Sequence, residues 1–153
     1  MIDFTSIQQM LEDTSRSDLP LWDNIRRSDC RTQGITPEQS WEKMSLMLDT
    51  MKASDRDYRE EDRSHSGLVG GDGGKVARYA QGEKTLCGPF LSQVMAGALR
   101  MGECNACMKR IVAAPTAGAC GVLPAVLLPY ARQFGAGEEQ LVQALYVASG
   151  FGM

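Results

Sequence analysis

Apolar residues recur at helical spacing through most of the chain. Behind Thr5 and Ser6, the residues Phe4, Ile7, Met10 and Leu11 step by three and four, and Leu21, Trp22 and Ile25 open a second such run after Pro20, which the start of a helix tolerates. Two short helices are expected there. A third is marked more fully: Thr36-Pro37-Glu38-Gln39 offers an N-cap, a proline at the first helical position and an acid near the positive end of the dipole. Trp41, Met44, Leu48 and Met51 follow on one face, widened by Leu46 and Met47, which predicts a helix of about twenty residues.

The charged run Ser54 to Arg63 reads as the solvated end of that helix. Then Gly67, Gly70, Gly71, Gly73 and Gly74 crowd into the stretch from Ser64 to Val76, too many for a regular element, so a loop is expected. From Thr85 onward small and apolar residues dominate, the pattern of closely packed interior helices. Alternating β-branched residues are scarce. The expected fold is all-α and a single domain over 1–153, with charged amphipathic helices over 1–63 and a glycine loop followed by apolar helices over 64–153.

At 153 residues with 43% apolar and 23% charged side chains, the composition is that of a globular domain. The net charge is −3, and the basic clusters Arg26, Arg27, Arg31 and Lys109, Arg110 sit among acids, so they read as solvated helix faces and not as a nucleic-acid surface. Ile111 to Ala131 is interrupted by Pro115, Pro124 and Pro129, which excludes a spanning helix. With an acidic N-terminus lacking the features of a signal peptide, a cytoplasmic location with no membrane contact is expected. Five cysteines, an odd number, point to buried thiols, a metal or a cluster and away from a disulfide framework. The sequence stops at Ser149-Gly150-Phe151-Gly152-Met153, straight after an apolar segment, which reads either as a glycine cap or as a cut within a larger domain that leaves an apolar face for a partner or a self-copy.

The glycine loop fails the phosphate templates. Gly74-Lys75 is followed by Val76 where a Walker loop needs Ser or Thr, and no strand precedes the loop as a dinucleotide fingerprint requires. What remains is a set of backbone amides with Ser66, Asp72 and Lys75 that could hold a small carboxylate, beside the plainer reading of a connecting loop. Cys104 and Cys107 form a C-x-x-C pair, and Cys120 follows thirteen residues later. Zinc is disfavoured because His65 is the one histidine, and it reads as an exposed residue beside a charged run. Three thiolates would suit a [4Fe–4S] cluster, and buried helix thiols are the plainer alternative. The segment Ile111 to Pro124 presents Cys120 between Gly118 and Gly121, ahead of a helix beginning near Pro124, where a thiolate would be stabilised by the helix start.

The run RIVAAPTAGACGVLPAVLL, with Asn105-Ala106 and SGLVGGDGGK before it, closely resembles the α subunit of the iron–sulfur-dependent L-serine dehydratases, from about Ser64 to the last residue. The resemblance implies an all-α catalytic domain, a [4Fe–4S] cluster on three cysteines, and conversion of L-serine to pyruvate and ammonia without pyridoxal phosphate, a step of amino-acid catabolism and gluconeogenesis. Cys120 matches the first cluster cysteine. The other two belong to a later segment of the family pattern, so the remaining ligands are expected outside this chain, and Cys104 and Cys107 match no family ligand. Thr116 and Gly118, with Ser66, Asp72 and Lys75, are the expected holders of the substrate carboxylate, and no residue is assigned as the base. A β-type subunit or domain is the expected partner, a homo-oligomer is open, and the chain alone is expected to be inactive. Two other readings stay beside this one: an L-cysteine desulfidase-type lyase, and a small helical thiol or metal-binding module in which Cys104, Cys107 and Cys120 act together.

Overall fold

A computed structural model describes residues 6–82 and 84–152. Phe4 and Thr5, part of the first expected helix, lie outside them. The described residues form seven α-helices and no strand, as the apolar periodicity predicts: α1 (Ile7–Arg16), α2 (Leu21–Gln33), α3 (Pro37–Arg56), α4 (Asp72–Ala80), α5 (Gly88–Ala106), α6 (Val122–Phe134) and α7 (Glu138–Gly152). A 3-10 turn, Ala117–Ala119, precedes α6. The chain divides into two compact units, one of Met1–Leu46 with Glu138–Met153 and the other of Met47–Gly137. This partition does not follow the change of composition at residue 64.

In the first unit, local chemistry sets the helix starts. Ser6 accepts the Gln9 amide at 3.1 Å. Thr36 and Gln39 cap each other reciprocally, the Thr36 hydroxyl accepting the Gln39 amide at 3.2 Å and the Gln39 side-chain oxygen accepting the Thr36 amide at 3.0 Å. Packing then gathers Trp22, Trp41 and Tyr146, with ring centroids 5.8 to 6.5 Å apart. Tyr146 is 1% exposed, and its hydroxyl meets the Ser40 hydroxyl at 2.8 Å. One sequence expectation is corrected. Arg26 is not on a solvated face: its side chain is 19% exposed, bonded to Asp23 and laid 5.1 Å from the Trp22 ring centre. Burying the aliphatic stem while the guanidinium faces a carboxylate and a ring explains its position.

In the second unit, α5 packs against α4 on one side and α6 on the other. Small residues allow the close approach. A β carbon on Gly73 would stand 2.9 Å from the Arg100 backbone nitrogen, and one on Gly97 would stand 3.3 Å from the Ala125 α carbon. Asp55, near the end of α3, pairs with both Arg100 of α5 and Arg132 of α6. Two further expectations change here. The charged run is helical only to Arg56, and the residues after it turn away. The glycine stretch is also not loop throughout, because α4 begins at Asp72 and contains Gly73 and Gly74. Two glycines weaken a helix by about 1 kcal/mol each, and the reason this one forms lies in a carboxylate from α5.

Candidate functional site

Glu103 supplies that carboxylate. It is 5% exposed, and one of its oxygens accepts the amides of Asp72 at 2.7 Å and Gly73 at 3.1 Å. Its other oxygen accepts the Tyr58 hydroxyl at 2.7 Å, and the Tyr58 oxygen in turn accepts the Gly74 amide at 2.9 Å. Three orphan amides at the start of α4 are therefore closed by an internal acid and a phenol, where charge and dipole agree. Burial, then the bond to Glu103, pushes the Tyr58 ionisation up to about 12. Sequence reasoning missed both residues. The available signal was a lone acid in the apolar run of α5, since an unpaired buried carboxylate is rare.

This arrangement revises the carboxylate-binding expectation for the loop. The amides of Asp72, Gly73 and Gly74 are engaged internally and are not free for a ligand. Ser66, Asp72 and Lys75 are all exposed. Lys75 pairs with Asp72 at 2.8 Å, and that contact holds the Asp72 carboxyl below its usual range. The Ser66 hydroxyl lies 3.1 Å from that of Ser64, whose oxygen accepts the Val69 amide at 3.1 Å and so closes the turn. His65 is exposed on the same turn. Gly70 makes the turn possible: its φ is +138°, and a β carbon there would collide with the Asp62 carbonyl at 2.2 Å.

The second expected element is the turn before α6. Thr116 is extended, and it and Gly118 are exposed. Asn105 of α5 donates to the Ala117 carbonyl at 3.1 Å and ties the turn down. Beneath it Cys120 is 3% exposed, and its thiol faces the Met101 carbonyl at 3.8 Å. Desolvation by burial pushes the Cys120 thiol up, against a smaller lowering by a backbone hydrogen bond. Thus the glycine loop is fixed through Glu103, and the Thr116–Cys120 turn through Asn105 and Met101. Four residues of helix span about 6 Å, so both segments hang on one end of α5. Among the described residues, Ser66, Asp72 and Lys75 form no hydrogen bond or ion pair with Thr116 or Gly118.

The cysteines do not converge. Cys104 faces the Ser54 carbonyl at 3.7 Å, while Cys120 faces Met101. Among the described residues no three His, Cys, Asp or Glu side chains are grouped to hold a metal ion. One thiol is a single donor, so these residues do not by themselves complete a [4Fe–4S] site. Cys104 and Cys107 line one small cavity beside Lys109, and Cys120 is not among its lining residues. Among the described residues no helix is long and apolar enough to cross a membrane.

Comparison with known proteins bears on this arrangement. Residues 15–153 match the family described as serine dehydratase alpha chain. The chain is 30% identical over 149 residues to the probable L-serine dehydratase, alpha chain, of Bacillus subtilis, covering 97% of this chain and 50% of that one. It is 25% identical over 146 residues to the L-serine dehydratase, alpha chain, of Peptoniphilus asaccharolyticus, covering 95% and 50%. A shorter match, 36% over 64 residues, is to the probable L-serine dehydratase, alpha chain, of Latilactobacillus sakei, covering 42% and 31%. No solved structure matches significantly. The chain spans about half the length of the first two relatives. With the match running through the glycine loop, α5 and the Cys120 turn alike, the chain belongs to the serine dehydratase alpha-chain family.

Proposed function

We propose that this chain is part of the catalytic α-type portion of a cytoplasmic L-serine dehydratase, which converts L-serine to pyruvate and ammonia together with the rest of an α-type chain and a β-type partner. The observation that supports it is the convergence on α5. The two exposed segments expected to bind substrate are anchored to residues Met101, Glu103 and Asn105, within about one helical turn of each other. In this reading the hydroxyls of Ser66 and Thr116 and the Lys75 ammonium receive the substrate carboxylate. Asp72 orients Lys75, and Gly118 leaves room beside Thr116. Glu103 and Tyr58 are positioning residues that hold the loop at the start of α4.

Cys120 is the proposed contribution of this chain to a [4Fe–4S] cluster, with the remaining ligands outside residues 1–153 and no pyridoxal phosphate involved. Anaerobic treatment with iron and sulfide tests the division of labour. The chain alone is expected to form no stoichiometric cluster and no pyruvate. Mixed with the unmatched half of a relative's α chain and a β-type chain, it is expected to give L-serine-dependent pyruvate. A 1:1 cluster on the isolated chain, lost in Cys104→Ala, would instead establish the thiol module.

A further inference from the structure

α5 and α6 carry apolar side chains toward water as well as toward their neighbours. Their charged side chains are used internally, Arg100 and Arg132 on Asp55 and Glu103 on α4. Outward they present Leu91, Met95 and Leu99 on α5, and Val122, Val126 and Tyr130 on α6, each between 40% and 59% exposed. These positions repeat every four residues and form one stripe per helix. The helices are antiparallel, because Phe90 meets Phe134 with centroids 5.9 Å apart, Gly97 meets Ala125 and Gly121 meets Ala98. At 100° per residue, that register turns both stripes to the same side of the pair. The result is one continuous face with no charge in it.

We infer that this α5–α6 face is the seat of an apolar helical segment from the other half of an α-type serine dehydratase chain, so that the two halves share one hydrophobic core. The inference rests on the family reading above. Its occupant follows from two observations. The curated relatives carry about as much polypeptide again as the part this chain matches. The six side chains of the face are all apolar or aromatic, the makeup of an obligate interface that resembles a core cut in half. A contiguous apolar face in water marks a place where another surface packs.

The test uses the whole chain, co-expressed with the half of the Bacillus subtilis alpha chain that the match leaves over and, separately, with that of the Peptoniphilus asaccharolyticus chain. Light scattering reads the stoichiometry. Mass spectrometry reads peroxide oxidation of Met95, with Met108, 89% exposed, as internal reference. The expected result with at least one half is a 1:1 complex in which Met95 oxidation slows about tenfold relative to Met108. Val126→Glu and Met95→Glu should each abolish the complex with the circular dichroism of the free chain unchanged. A complex that leaves Met95 as reactive as before overturns the inference. So does protection of Met95 by self-association of the chain alone, or failure of both halves to bind. Pyruvate formation is measured independently, so a docking failure is distinguishable from failure of the dehydratase reading.

Discussion

Glu103 and Gly73 are thirty residues apart in the chain and 3.1 Å apart in space, the carboxylate of one accepting the amide of the other. Together with Asp72 and Tyr58 this makes a buried anion with three donors, and a helix start built on two glycines depends on it. Glu103→Ala leaves those donors without an acceptor and should lower the free energy of unfolding by about 3 kcal/mol, while Glu103→Gln, which keeps one acceptor oxygen, should cost about 1–2 kcal/mol. Urea titration followed by circular dichroism measures both. Equal, negligible losses would mean that the carboxylate is not what closes α4.

Tyr58 predicts the direction of a pH effect. Its proton is held more tightly in the folded chain than in the unfolded one, with an ionisation near 12 against an ordinary 10. The resulting stabilisation is complete below pH 10 and is lost as pH rises toward 12. Stability should therefore fall with pH in that window, and fall less steeply in Tyr58→Phe. A residual slope is expected in the variant, since burial also raises Tyr146. Urea midpoints at several alkaline pH values decide it, and identical slopes in the two proteins would contradict the account.

The helices were legible because they rest on local signals. Thr36, Pro37 and Gln39 mark the start of α3 within four residues of sequence, and the proline-interrupted stretch before α6 announces its turn. α4 was not legible, because Gly73 and Gly74 argue against a helix and the group that rescues it stands on α5. Arg26 failed for the same reason, as its aromatic neighbour Trp41 comes from another helix. At the site, Thr116, Gly118 and Cys120 could be placed on one turn from proline and glycine positions alone. The burial of Cys120 and the engagement of the loop amides depend on contacts across twenty to thirty residues, which periodicity does not carry.

Glycine substitutions separate contact from propensity. Gly73→Ala drives a methyl group against the Arg100 backbone and should destabilise by about 2 kcal/mol. Gly102, exposed on α5 with nothing within 4 Å, should do the reverse, Gly102→Ala gaining about 0.5–1 kcal/mol. Thermal melts of the two variants should move in opposite directions. Movement in the same direction would mean that α4 and α5 do not meet at Arg100.

Thiol reactivity reports the burial of the site. Cys87 is exposed, while Cys104 and Cys120 are buried with their thiols against backbone carbonyls and their ionisation pushed up by desolvation. Iodoacetamide at neutral pH, read by mass spectrometry, should label Cys87 first and the buried pair on the order of tenfold or more slower. Labelling of Cys120 as fast as Cys87 would show an open turn.

The most direct measurement is L-serine-dependent pyruvate release by the assembly of this chain, the complementary α-type half and a β-type chain, reconstituted anaerobically with iron and sulfide. Pyruvate is predicted with the unaltered chain and with Cys87→Ala, and none above background with Cys120→Ala. Undiminished turnover in Cys120→Ala, or no turnover in any assembly, would contradict the account.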